Sequence, residues 1–375
     1  MPTYIGKSGR TITTTSSIGK GGEGEVFAFQ GDTHEVVKGY FPQERTNTRQ
    51  QKLSHMISLQ PAPQRTAWPR EIVFEGGEFA GFTMPKVENC REINEIYAIK
   101  DLEYRLAVAH YLCDAVQEIH AAGHVCGDLQ PKNVLVSPHG QVTLVDADSF
   151  HIQNPNNPSR PFRCDKGLAD FLAPEIQSKM VNGQTLVTAP LPTFTRETDL
   201  FTVAIHIFAL FMNGCHPFAT RVTDLVLSQR RSSVTNPLPN ENIKNGFSPF
   251  LTTRPGYDIP VYAPPLSSLP VEIQQLFRRA FVEGHTIPSR RPTCWEWANA
   301  LKKWRNDLFG TPKWTSSQLP LPQSHKTARQ GSHNTARQLP MPSAFPKKSP
   351  WPAIFSVATV VLVIVLVIFL GALLV

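Results

Sequence analysis

The stretch from Gly127 to Phe150 restricts the folds open to this chain more than any other. It reads Gly127-Asp128-Leu-Gln130-Pro-Lys132-Asn133-Val-Leu-Val136 and, a few residues on, Val142-Thr-Leu-Val145-Asp146-Ala-Asp148-Ser-Phe150. An aspartate, an asparagine, a short apolar strand and a second aspartate make a hairpin-like unit whose polar groups converge at one end. Phosphoryl transfer needs such a set: a carboxylate to orient and deprotonate a hydroxyl, and oxygen ligands for Mg²⁺. Asp and Asn clusters also build ordinary turns, but the spacing and the apolar flanks favour the chemical reading.

A second motif lies upstream, Gly19-Lys-Gly21-Gly-Glu-Gly24-Glu-Val26. A dinucleotide-binding fold needs such glycines to open a helix. Here Val26-Phe-Ala-Phe29 continues as strand, so the glycines fall in a hairpin, where backbone N–H groups approach phosphates without side-chain obstruction. Glu35-Val-Val-Lys38 follows, and a lysine ending an apolar strand places an ammonium beneath that flap.

Around these motifs the pattern changes along the chain. Thr11–Ile18, Glu25–Gln30 and Glu35–Lys38 read as short strands. From Asp101 to His120 the period becomes helical, with Leu102, Leu106, Ala109, Cys113, Val116 and Ile119 on one face. Asp199–Asn213 and Val271–Val282 are helical as well. The expected architecture is α+β and bilobal over residues 1–305: a small β-rich lobe at about 11–87 and a large helical lobe at about 88–305.

Residues 306–350 shift to Pro, Ser, Gln, His and Thr and contain a near-repeat, Ser324-His-Lys-Thr-Ala-Arg-Gln330 and Ser332-His-Asn-Thr-Ala-Arg-Gln338. Such a segment buries too little apolar surface to fold and is expected to be a disordered linker. Residues 351–375 are expected to form a C-terminal transmembrane helix. Ala353 to Val375 is apolar apart from Ser356, Thr359 and Gly371, carries no charge, and as a helix spans about 35 Å. Lys347 and Lys348 precede it with Trp351 at the interface, and basic flanks stay cytoplasmic. The expectation is a single-pass, tail-anchored protein in contact with membrane lipid, its folded part cytoplasmic.

The formal net charge of +7 fits a phosphate-bearing ligand or an anionic membrane surface. No basic run with interleaved aromatics points to nucleic acid. Cys90, Cys113, Cys126, Cys164, Cys215 and Cys294 lie far apart, against both a zinc site and a disulfide scaffold. The polar first twenty residues do not read as a secretory signal.

Taken in order, the glycine flap, Lys38, Asp128-x4-Asn133 and Asp146 resemble the eukaryotic-type (Hanks-like) protein kinase superfamily. Ala173-Pro174-Glu175 resembles the motif that closes the activation segment, Gly214-Cys-His-Pro-Phe218 a segment of the large lobe, and Arg291-Pro-Thr the late arginine that pairs with Glu175. Ala67-Trp-Pro69, Gly81-Phe-Thr-Met-Pro85 and Asp146-x-Asp-Ser-Phe150 are similar to a bacterial group typified by YegI-like kinases. That group is often accompanied by a von Willebrand-type domain protein and a metal-dependent phosphatase. The resemblance implies a bilobal kinase fold and transfer of the ATP γ-phosphate to Ser/Thr hydroxyls of protein substrates. It implies Asp128 as catalytic base, and Lys38 on the α/β-phosphates. Asn133 and Asp146, with Asp148 as a further candidate, would hold Mg²⁺ or Mn²⁺. Gly19, Gly21, Gly24 and Val26 would cover the nucleotide, and Met84 to Val87 would form the hinge beside the adenine.

Several positions depart from that pattern. Cys126-Gly127 replaces His-Arg, Gln130 replaces a lysine for which Lys132 is a substitute, and Asp146-Ala-Asp148 replaces Asp-Phe-Gly. The helix expected at Arg45–Leu59 offers Gln51 where a glutamate partner for Lys38 belongs, leaving Glu44 as the other source of a carboxylate. Two alternatives follow: a pseudokinase acting as a membrane-tethered, nucleotide-binding scaffold, and a small-molecule kinase suggested by Gly127-Asp128-Leu. A buried Glu175–Arg291 ion pair is expected for the protein kinase.

Overall fold

The structure is a computed structural model that describes residues 1–180, 183–190, 193–223 and 237–310. The expected linker beyond residue 310 and the expected membrane helix at 351–375 lie outside the described residues. Among the described residues no helix is long and apolar enough to cross a membrane.

The small lobe begins at Thr3, ahead of the boundary near 11 that the sequence suggested. Strand β1 (Thr3–Gly6) pairs antiparallel with β2 (Thr11–Lys20) and with β5 (Glu71–Glu75). With β3 (Gly24–Phe29), β4 (Asp32–Tyr40) and β6 (Glu78–Pro85) it closes a barrel in the order β1-β2-β3-β4-β6-β5. Tyr4, Ile12, Phe27, Phe29, Val37 and Val73 form one buried cluster in this lobe. Because side chains alternate along a strand, Lys38 and Tyr40 share the face of β4 opposite Val37. Helix α1 (Asn47–Ser58) starts where the Thr46 hydroxyl accepts the Arg49 N–H at 3.2 Å, and it buries Lys52, Leu53 and Met56.

The large lobe is built around two helices. In α2 (Leu102–Ala121) Leu106, Ala109, Cys113, Val116 and Ile119 of the predicted stripe are buried and Leu102, at the start of the helix, is half-buried; the Asp101 side chain caps the Tyr104 N–H. Helix α4 (Arg196–Phe211), after the short α3 (Pro174–Gln177), starts earlier than the sequence suggested because Thr195 and Thr198 form a capping box. It is buried all round from Thr198 onward, as suits a central core helix. Phe201, Phe208, Phe218, Phe277 and Phe281 interlock beside it, mostly edge-to-face. The helix expected at Val271–Val282 is α-helical to Arg278 and passes into a π turn at Arg279–Glu283. Strands β7 (Arg91–Glu92), β8 (Val134–Val136) and β9 (Val142–Leu144) form a small sheet, which confirms the predicted hairpin as β8 and β9. The segment from the small lobe is stitched to β9 by Ala67 N–H to the Leu144 carbonyl (2.8 Å) and Leu144 N–H to the Arg65 carbonyl (2.9 Å).

Glu175 and Arg291 meet as expected, in a bidentate pair with N–O distances of 2.6 and 2.7 Å. The Arg291 side chain is fully enclosed and donates also to the Glu197 and Gly284 carbonyls, whereas Glu175 keeps 26% of its side chain exposed. Arg291 carries the desolvation of the pair, so losing the carboxylate leaves a charge that water cannot reach. Glu175→Ala is expected to lower the unfolding free energy by about 3–5 kcal/mol, measured by urea titration of the purified chain.

Candidate active site

A cleft of about 660 Å³ lies between the lobes. Lys38, Asp128, Asn133, Asp146 and Asp148 all line it, and Gly19, Gly21, Gly24, Val26 and Met84 line its small-lobe side. Val87, expected in the hinge, is not among the lining residues.

The glycine flap is the turn joining β2 to β3, closed by the Gly21 N–H to the Gly24 carbonyl at 2.9 Å. The motif glycines serve different needs. A Cβ on Gly24 would strike the Gly39 carbonyl, so this glycine permits close strand pairing, while Gly19 and Gly22 face open space. Glu23 between them is clasped from two sides, by Arg49 of α1 at 3.1 Å and by Lys166 at 3.0 Å.

The loop that carries Asp128 is held from below. Asp199, buried at the start of α4, accepts the Cys126 N–H (2.8 Å), the Gly127 N–H (2.9 Å) and the His120 Nε2–H (2.9 Å). Gly127 sits at φ 81°, and a Cβ there would meet the Cys164 sulfur at 2.8 Å, so both conformation and space demand glycine. Two residues on, the Leu129 carbonyl accepts from His206 Nε2 at 2.6 Å, which leaves Nδ1 to accept the Tyr97 hydroxyl at 2.6 Å. Burial holds His206 at a pKa of about 4, so the ring is neutral in this tautomer.

Asp128 is 3% exposed. Its Oδ2 accepts from Gln130 Nε2 (2.6 Å) and Asn133 Nδ2 (3.0 Å), while Oδ1 is buried with no hydrogen-bond partner. Burial raises its pKa, and the Asp146 charge raises it further against the opposing pull of Gln130, Lys132 and Asn133. Gln130 thus serves the carboxylate of Asp128, and exposed Lys132 lines the cleft beside it. Asn133 turns its amide N–H₂ to Asp128, so its remaining polar atom is the oxygen.

The acidic segment sits across from this loop. Asp146 adopts φ 60° and ψ 37°, a left-handed conformation uncommon outside glycine, and its carbonyl accepts both the backbone N–H and the hydroxyl of Ser149. Lys38 Nζ lies 2.6 Å from Asp146 Oδ1 and 2.9 and 2.8 Å from the two oxygens of Asp148. The Tyr40 hydroxyl donates to Asp148 Oδ2 at 2.6 Å. Burial alone would lower the Lys38 pKa, but Asp148 and then Asp146 raise it. Burial likewise works against the Asp148 carboxylate, yet Lys38 holds its pKa below the usual value. Asp146 is raised by burial and by Asp148.

Two sequence expectations are corrected here. Gln51 is exposed and does not reach Lys38; the inward position on α1 is Lys52, whose Nζ donates to the Asp148 carbonyl at 2.6 Å, while Glu44 pairs with Arg49 at 3.0 Å. Asp148, grouped with the metal ligands, has a side chain only 2% exposed, with both oxygens engaged by Lys38 and Tyr40. That leaves Asn133 and Asp146 as the oxygen donors facing the cleft. Among the described residues no cluster of three or more His, Cys, Asp or Glu forms a metal site. Sequence reasoning missed Asp199, Tyr40, Lys52 and the Glu23 clasp. Only Asp199 carried a signal, as an acidic residue near the start of a strongly apolar helix.

Two outcomes are expected from this geometry. Asp199→Asn puts an N–H₂ against backbone donors and should destabilise the fold by at least about 2 kcal/mol in a denaturant titration. Burial holds His124, His151, His206 and His216 at about 4, below the ordinary histidine value near 6.5. Their contribution is therefore complete above pH ~6.5 and lost as pH falls toward 4, because the unfolded chain takes up protons first. A pH series of urea melts should show it, and His206→Gln should reduce the slope by up to about 1.4 kcal/mol per pH unit.

Among known proteins the chain is similar to protein kinases. No family model matches the chain. It is 28% identical to Protein kinase YegI of Escherichia coli O157:H7 over 329 residues, covering 82% of this chain and 47% of the relative. Against Protein kinase YegI of Escherichia coli strain K12 the identity is 28% over 323 residues, 80% of this chain and 46% of the relative. Ovarian-specific serine/threonine-protein kinase Lok of Drosophila melanogaster is 24% identical over 129 residues, 34% of this chain and 25% of the relative. The chain thus spans about half the length of the YegI relatives it matches.

Proposed function

We propose, from a likeness that places the chain in the protein kinase-like superfamily with the bacterial YegI-like group, that it transfers the ATP γ-phosphate to Ser or Thr hydroxyls of proteins. The observation that carries this reading is the gathering of Lys38, Asp128, Asn133 and Asp146 on one cleft under a glycine flap. The donor set suits the nucleotide: Asp128 Oδ1 is buried and unpartnered, and the flap leaves open space at Gly19 and Gly22. Mg²⁺–ATP, when bound, supplies the transferable phosphoryl group and the cation that neutralises its charge.

The residues of the chain divide the remaining work. Lys38 directs an ammonium at the α/β-phosphates. Asn133 and Asp146 offer oxygens to Mg²⁺ or Mn²⁺. Met84, at the end of β6, sits beside the adenine with backbone groups for hydrogen bonds. Asp128 orients the acceptor hydroxyl through its free oxygen and takes the proton, while Gln130 and Asn133 fix its other oxygen. A tether to the cytoplasmic face through residues 351–375 completes the proposal on sequence grounds, and the resemblance to the YegI-like group adds partnership with a von Willebrand-type domain protein and a metal-dependent phosphatase.

One observation favours a second reading, a nucleotide-binding pseudokinase: Gln130 spends its amide on Asp128 and offers no cation to the γ-phosphate. A small-molecule kinase is disfavoured by the Glu175–Arg291 pair.

Purified chain incubated with radiolabelled ATP and Mg²⁺ should label itself or a generic protein acceptor. Asp128→Ala should reduce the label by about 10²-fold or more. ATP binding without transfer by the wild type would establish the scaffold instead. Because the Asp128 pKa is raised, the acid limb of the pH–rate profile should lie above the ordinary carboxylate value of 3.8, with activity lost as pH falls through it.

A further inference from the structure

The two carboxylates on Lys38 are not equivalent. Asp146 keeps 34% of its side chain exposed, whereas Asp148 keeps 2%. Lys38 touches one oxygen of Asp146 but both oxygens of Asp148. The partner facing the cleft can be drawn off by a metal ion; the enclosed partner has nowhere else to go.

Asp148 is itself held from two elements. Tyr40, two residues beyond Lys38 and on the same face of β4, donates its hydroxyl to Oδ2 at 2.6 Å. From α1, Lys52, 6% exposed, donates its ammonium to the Asp148 carbonyl at 2.6 Å. Arg49, one turn earlier on α1, lies with its guanidinium 4.6 Å from the Tyr40 ring centre. Helix α1 therefore presents cations to this corner, and the carboxylate comes from the segment below. A glutamate at position 52 would set a carboxylate against the Asp148 carbonyl oxygen, acceptor against acceptor.

We infer that Asp148 is the residue that positions Lys38 for the nucleotide, in the role the sequence reading sought on α1, and that Lys52 ties α1 to Asp148 so that the helix acts on Lys38 through it. The inference rests on the nucleotide-binding reading proposed above. Its chemical content is a division of labour: Asp146 serves the metal and Asp148 serves the ammonium.

Titration of a fluorescent ATP analogue into the whole chain, once with EDTA and once with excess Mg²⁺, separates these roles by affinity, without reference to turnover. Asp148→Asn is expected to weaken binding about tenfold or more, by the same factor in both conditions. Asp146→Asn is expected to weaken it only with Mg²⁺. On a Lys38→Met background, Asp148→Asn should cost nothing further, since the group it positions is gone. Should Asp148→Asn act only with Mg²⁺, or its effect multiply with that of Lys38→Met, the assignment is overturned. Tyr40→Phe covers the case in which Asp148→Asn does not fold: equal weakening in both conditions supports the proposal, and unchanged affinity overturns it. Wild type that binds no analogue overturns the kinase reading and this inference together. Wild-type binding with an unaffected Asp148→Asn overturns the inference alone.

Discussion

Everything in the cleft depends on one ammonium being kept charged where water scarcely reaches. Lys38 is 8% exposed, and an isolated lysine in such a place would give up its proton. Two carboxylates within 3 Å reverse that tendency. They also link the lobes, because Lys38 stands on a small-lobe strand and both aspartates on a large-lobe segment. The same charges therefore hold the two walls of the cleft together. The Lys52 ammonium, 2.6 Å from the Asp148 carbonyl, adds a second cation, so two cations meet two anions in this corner.

The rest of the large lobe fixes backbone. Asp199 grips the amides before Asp128, neutral His206 grips the carbonyl after it, and Arg291 secures Glu175 of α3 to the start of α4. Each is buried, polar and fully engaged, and each holds a loop or short helix in place from beneath. Loops supply reactive groups, and buried helices give them a fixed frame.

How far this was legible in the sequence depends on the range of the interaction. Asp128, Asn133 and Asp146 stand at short spacings around two strands, so their convergence follows from a local hairpin. The stripe on α2 is equally local. Lys52 was missed because a helix turns about 100° per residue, and placing the inward position one residue early, at Gln51, points to solvent. Asp148 was misread because its direction is set by the left-handed turn at Asp146, which side-chain identity does not announce. Tyr40 and Asp199 act on residues 108 and 72 positions away, and no periodicity encodes such pairings. Strand β1 is only four residues long, too short for alternation to mark it.

Closure of that barrel by β1 has a bearing on how other molecules can approach. An open sheet offers a row of unpaired amides and carbonyls to which an extended peptide can add itself as a further strand. Here β1 closes the ring against Thr11–Thr13 of β2 and against β5, so such a row is confined to the part of β2 beyond Thr13, which pairs with β3 alone. Elsewhere on this lobe recognition falls to side chains, on the outward surface of α1 or on the turns between strands, so specificity there is read from residue identity and not from backbone.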